Sequence, residues 1–221
     1  MDTSAIFVGI TLILLFIIAL ILFIWYRERA KSDKELDEAY KTMEKLSKFD
    51  PITQLCNKTS MTDRIEIEMM RMGRTWRPFC LVMINVDNFR QIIDEFGRDC
   101  GNKILESLGI ILVKTLRKQD AASRWEGEEL LLLLPETSLE GGYIIAEKIR
   151  KAVEETAVTY GDITMTFTIT LGVDVYSKLG PANHSIRKAA AALYEGIQRG
   201  RNIVVKSDDP DLDFSKYQEL D

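Results

Sequence analysis

The 221-residue chain has a single histidine, His184, and only three cysteines, Cys56, Cys80 and Cys100. One histidine, set in the loop-like stretch "GPANHS" with no neighbouring base, gives no histidine cluster for metal binding and no partner for acid-base work. The odd cysteine count without C-x-x-C spacing excludes a disulfide framework and a thiolate metal site. Basic excess is also missing: the net charge is -5, so no basic face for nucleic acid is expected. Charge of either sign is absent from Ala5 to Tyr26, "AIFVGITLILLFIIALILFIWY". At about 1.5 Å per residue this run spans a hydrocarbon core of about 30 Å.

Asp2 precedes the run, and Trp25 and Tyr26 close it as an interfacial belt would, which favours an anchor over a cleaved signal peptide. Arg27, Arg29 and Lys31 follow at once, so the basic flank is expected to stay in the cytoplasm. Residues 1–26 are therefore read as a single-pass anchor in the cytoplasmic membrane, with everything after it in the cytoplasm. Residues 27–49 read as a helical linker whose Leu36, Tyr40, Met43 and Leu46 recur at spacings of four and three. That seam either pairs two chains as a short parallel coiled coil, giving a homodimer, or lies on its own domain.

From Asp50 to Lys206 helical and strand patterns alternate. Helices are expected over Thr59–Met72, Asn102–Leu116, Leu139–Ala157 and Ser185–Arg199. A buried strand is expected over Phe79–Val86, a hairpin about the Glu126–Glu129 turn, and strands at "TMTFTITLGVDVY" and "NIVVK". This order predicts an α+β fold, helices flanking one mixed sheet. The methionines of "IEMMRM" read as core filler and Trp125 as a packed strand residue. Residues 207–221, "SDDPDLDFSKYQELD", are acidic and are expected to be disordered.

Two places carry candidate chemistry: Asn85 and Asp87 at the end of one strand, and Glu128 and Glu129 at the hairpin tip. Converging carboxylates suit Mg²⁺ and phosphoryl transfer; solvated glutamates at a turn are the plainer reading. The ordered series "DPITQLCNK", "INVDNFRQIIDEFGRDCGN", "RKQDAASRWEGEEL" and "ALYEGIQRGRN" resembles the GGDEF family of diguanylate cyclases over about residues 49–206. The resemblance implies the nucleotidyl-cyclase-like fold and the condensation of two GTP, with Mg²⁺, into cyclic di-GMP by a dimer.

Carried across by motif, the resemblance implies metal ligation by Asp87, Glu128 and Glu129, with Asn85 where the family has a leading aspartate. It implies phosphate contacts at Gly127 and Arg201, and product binding at Arg117 and Asp120. It also marks further departures, Arg98, Gln54 and Leu130 among them. Ile93 and Asn102 stand where the family reads guanine, Glu126 replaces the first signature glycine, and Ile197 replaces a phosphate-facing lysine. An isoleucine cannot pair with a base edge, and a glutamate brings bulk and negative charge to phosphate. The leading expectation is a membrane-anchored, catalytically inactive member that binds cyclic di-GMP, a protein partner or both. An active or base-relaxed cyclase using Mg²⁺ and a scaffold that binds no nucleotide are the alternatives.

Overall fold

In the computed structural model, residues 48–177 and 181–214 are described, with a few helical positions between 20 and 29. Most of the anchor and all of the linker seam lie outside the described residues; among those described, no helix is long and apolar enough to cross a membrane. Residues 47–221 form one compact unit. Its elements are α1 (Lys58–Thr75), β1 (Phe79–Val86), α2 (Phe89–Phe96), α3 (Arg98–Thr115), β2 (Ala121–Glu126), β3 (Glu129–Leu134) and α4 (Leu139–Glu154). There follow β4 (Ala157–Tyr160), β5 (Ile163–Thr166), β6 (Ile169–Tyr176), α5 (Ala182–Gln198) and β7 (Val204–Lys206).

The five-stranded sheet runs β2-β3-β1-β6-β7. All its pairings are antiparallel except β6 with β7, which makes the sheet mixed, as expected. β1 reads as an apolar run broken only by Asn85 because it is central and covered on both faces. Cys80, Val82, Ile84 and Val86 join the cluster that includes Ile104 and Leu108 of α3 and Ile149 of α4. Phe79, Leu81 and Met83 join Met61 and Ile65 of α1 and Leu193 of α5 on the opposite face. α5 lies so close to β6 that a Cβ at Gly172 would stand 2.0 Å from the Ala189 carbonyl oxygen, so only glycine fits there.

Local rules account for the helix ends. Asn57 caps α1 by accepting from the Ser60 amide at 2.9 Å, and Ser138 caps α4 by accepting from that of Gly141 at 3.2 Å. Of the methionines in α1, Met72 is buried and Met69 packs at the core edge, but Met70 is 64% exposed and fills nothing. The expected strand over "TMTFTITLGVDVY" divides into β5 and β6, and β5 pairs with β4 as a separate hairpin. A further helix, α2, occupies the eight residues before Gly97.

The acidic stretch expected to be disordered is folded as far as Phe214. Arg199 holds Asp209 in a fork, Nη1 to Oδ2 at 2.9 Å and Nη2 to Oδ1 at 3.0 Å, and Leu212 is buried with Ala192 and Val205. One buried leucine and one bidentate pair hold a segment whose composition alone reads as soluble tail. Residues 215–221 lie outside the described residues.

Candidate functional site at the hairpin and the end of the central strand

β2 and β3 are joined by Gly127 and Glu128, and Gly127 takes φ +53, a conformation that suits glycine. Glu126 is the last residue of β2 and has no positive φ, so a side chain is accommodated there without backbone strain. The turn is fixed from below by Arg124, whose Nε donates to the Gly127 carbonyl at 2.8 Å and whose Nη1 meets Asp50 Oδ2 at 3.2 Å. Asp50 is buried and also accepts from the Thr53 amide and hydroxyl, both at 2.7 Å. The loop after Asp50 then runs beside the outer strand: the Cys56 amide donates to the Ala122 carbonyl at 3.1 Å, and the Arg124 amide to that of Cys56 at 3.0 Å. The "DPITQLCNK" segment thereby covers part of a sheet edge and braces the hairpin tip.

The register brings the candidate residues together. Asn85 stands opposite Glu129 on one side and opposite Thr170 on the other. Asp87, 4% exposed, is fully engaged: Oδ1 accepts from the Thr170 hydroxyl at 2.6 Å, and Oδ2 from the Thr168 hydroxyl at 2.7 Å and the Asn202 amide at 3.0 Å. It therefore ties β1 to the start of β6 and to the turn after α5. Glu129 Oε1 accepts from the Tyr194 hydroxyl at 3.3 Å. Burial pushes the Glu129 carboxyl upward, the Tyr194 hydrogen bond opposes this, and Glu128 and Glu126 add to the rise. Among the described residues no three acidic, histidine or cysteine side chains converge on a metal-sized point. Mg²⁺ wants several free hard oxygens. Here Asp87 is spent on the fold, Asn85 brings no charge and Glu129 is turned to Tyr194, so these residues do not fit the ion as they stand.

The remaining positions divide into filled and open ones. Ile93 packs with the core and against the bare backbone of Gly101. Asn102 lines an open pocket of about 370 Å³ with Ile52, Gln54, Asp99, Glu106 and Tyr160. Ile197 packs at the edge of the α1–α5 cluster, while Arg201 is exposed, at φ +69, in the turn that also presents the Asn202 amide to Asp87. At the far end of β2, Arg117 and Asp120 form the turn that leaves α3. Asp120 Oδ2 accepts from the Arg117 backbone amide at 2.9 Å, and Oδ1 has no hydrogen-bond partner among the described residues. Burial raises the Asp120 carboxyl, opposed by that amide and the Arg117 charge. His184 sits exposed in the first turn of α5.

A family model described as "Diguanylate cyclase, GGDEF domain" matches residues 47–203. The chain belongs to the GGDEF family. Diguanylate cyclase A of Treponema denticola is 38% identical over 136 residues, which are 61% of this chain and 37% of that protein. Diguanylate cyclase DgcP of Pseudomonas aeruginosa is 31% identical over 153 residues, 69% of this chain and 23% of that protein. The crystal structure of diguanylate cyclase SiaD from Pseudomonas aeruginosa, in complex with its activator SiaC, superposes with a TM-score of 0.70 at 28% identity. It covers 92% of this chain and 81% of that one. The chain thus spans well under half the length of both curated relatives.

Within this GGDEF domain, the signature turn, the strand end carrying Asn85 and the loop carrying Arg201 surround one end of the sheet. Arg117 and Asp120 lie at the other end of β2. Sequence reasoning missed the residues that hold the site in shape: Asp50, Arg124, Lys58, Thr168, Thr170, Tyr194 and Asn202. The paired motifs containing Asp50 and Arg124 were visible, but their contact spans 74 residues and no local period reports it.

Proposed function

We propose that this GGDEF domain is a catalytically silent receptor of cyclic di-GMP signalling that binds cyclic di-GMP at Arg117 and Asp120. The reading is carried by one observation. Asp120 holds the backbone amide of Arg117 instead of its guanidinium, and that guanidinium is in no ion pair among the described residues. The exposed pair that would have made the motif merely structural is absent, so the fork can meet phosphate or guanine acceptors. Silence follows from electrostatics. Phosphoryl transfer depends on cations and metal placed around the developing charge, and Asn85, Glu126 and Ile197 each remove or oppose such a group. Residues 5–26 would tether the domain to the cytoplasmic membrane and the linker seam would pair two copies. A protein partner, as SiaC is for SiaD, is the further input that such a receptor would serve.

Calorimetry of the full chain with cyclic di-GMP tests the reading. Binding should weaken more than tenfold in Arg117→Ala, the scale of about 1.5–3 kcal/mol for a hydrogen bond to a charged group. Heat absent at high micromolar ligand would reject it in favour of a scaffold. A second reading, residual cyclase activity, draws on Glu128, Glu129 and the exposed Arg201. Product formation from GTP separates the two.

A further inference from the structure

Glu126, the residue that replaces the first signature glycine, is held by a cation of this chain's own. Its Oε2 lies 3.1 Å from Lys58 Nζ, and the same ammonium stands 4.8 Å from the centroid of the Trp125 ring. Lys58 is the first residue of α1, placed by the Asn57 cap, so its position over the hairpin is set by a helix end and not by the turn. Arg124, the other cation beneath the tip, is committed to the Gly127 carbonyl and to Asp50. Lys58, unlike Arg124, is thus a cation at the tip not already fixed by the fold, and Glu126 takes it.

We infer that Glu126 is a tethered competitor for Lys58: the pair is an intramolecular latch that withholds a phosphate-binding cation from polyphosphate anions. The inference rests on the reading of the domain as catalytically silent and supplies one cause of that silence beyond the residues lost. Lys58 and Glu126 side chains are 52% and 75% exposed, and such a pair is weak by itself. Tethering changes the comparison, because a group held on the same fold competes at an effective concentration on the order of millimolar or more. A polyphosphate reaching the tip must displace Glu126 and then meet it, Glu128 and Glu129 as three like charges within four positions of the turn. Glutamine at 126 keeps the volume and removes both the competitor and one repulsion.

The test uses the full chain at low ionic strength with inorganic tripolyphosphate as the probe, in a calorimetric titration of four forms. Glu126→Gln should bind roughly fivefold tighter than the unmutated chain, the scale of one unit charge removed about 4 Å from an anion in water-like surroundings. Part of that gain is relieved repulsion, so adding Lys58→Ala to Glu126→Gln should shrink the gain without abolishing it, and Lys58→Ala alone should weaken binding. An equal gain with and without Lys58, or no gain in Glu126→Gln, overturns the latch. Thermal melts of each variant report folding. Cyclic di-GMP titrated separately into the unmutated chain tests the receptor reading alone, so that its failure is not confused with failure of the latch.

Discussion

Replacing Asp87 by alanine gives the sharpest separation between a fold residue and a metal ligand. The substitution strands the hydroxyls of Thr168 and Thr170, which donate to this one carboxylate, and leaves the Asn202 amide only its 3.1 Å bond to the Thr170 hydroxyl oxygen. Thr170 is fully buried, so its hydroxyl has no ready water. Hydrogen bonds to a charged acceptor contribute about 1.5–3 kcal/mol each. They share one acceptor and do not add fully, so the expected loss is about 4 kcal/mol, or roughly 10 °C in melting temperature for a domain of this size. Urea unfolding of the full chain should move by about 2 M at an m-value of about 2 kcal/mol/M. The loss should be the same with and without millimolar Mg²⁺. A change below about 1 kcal/mol, or stabilisation of the unmutated chain by Mg²⁺ that Asp87→Ala removes, would refute the placement.

Burial also raises the Asp174 carboxyl, against donation from Ser207 and Ser185 and the nearby Lys188 charge. A carboxyl raised in the fold binds its proton more tightly there than in the unfolded chain. Its stabilising effect is therefore full below the unfolded value and is lost as pH rises through the folded one. Asp174→Asn should flatten the fall in stability above the ordinary aspartate range, measured as melting temperature against pH; an unchanged profile contradicts this. Leu212→Ala should cost about 2 kcal/mol, the low end for a core leucine, because the cluster it joins is small. Limited proteolysis should then cut after residue 207 sooner than in the unmutated chain, and unchanged cleavage would show the strap to be loosely held. Asp50→Asn weakens the brace under the turn and should cost about 2 kcal/mol, less than a fully buried pair because Arg124 is 21% exposed. A denaturant midpoint unmoved by that change would remove the brace from the account.

Much of the fold was legible because its signals are local. The central strand was read at its observed ends, since eight residues, apolar but for Asn85 and bounded by Pro78 and Asp87, admit little else. The hairpin was read from its glycine and charges. The β4–β5 hairpin was missed because a single apolar alternation runs from Thr164 through Tyr176, and the break at Phe167–Thr168 shows only in the pairing. The folded strap was missed because one leucine and one arginine fork outweigh an acidic composition. At the site, which residues gather at the sheet end followed from motif order. What they do there did not. Asp87 spends its oxygens on threonines 81 and 83 residues away, and Glu126 finds a lysine 68 residues away, so charge type alone could not tell a metal ligand from a fold contact.

The central claim is catalytic silence, and its most direct test is a long incubation of the full chain with GTP and Mg²⁺ or Mn²⁺, followed by chromatography of the nucleotides. On the proposed reading no cyclic di-GMP is expected, because Asn85 brings no charge to a metal, Ile197 brings no cation to phosphate and Glu126 adds a negative charge at the turn. A cyclic di-GMP peak that disappears in a Glu128→Ala, Glu129→Ala control would contradict the account and establish the domain as a working cyclase.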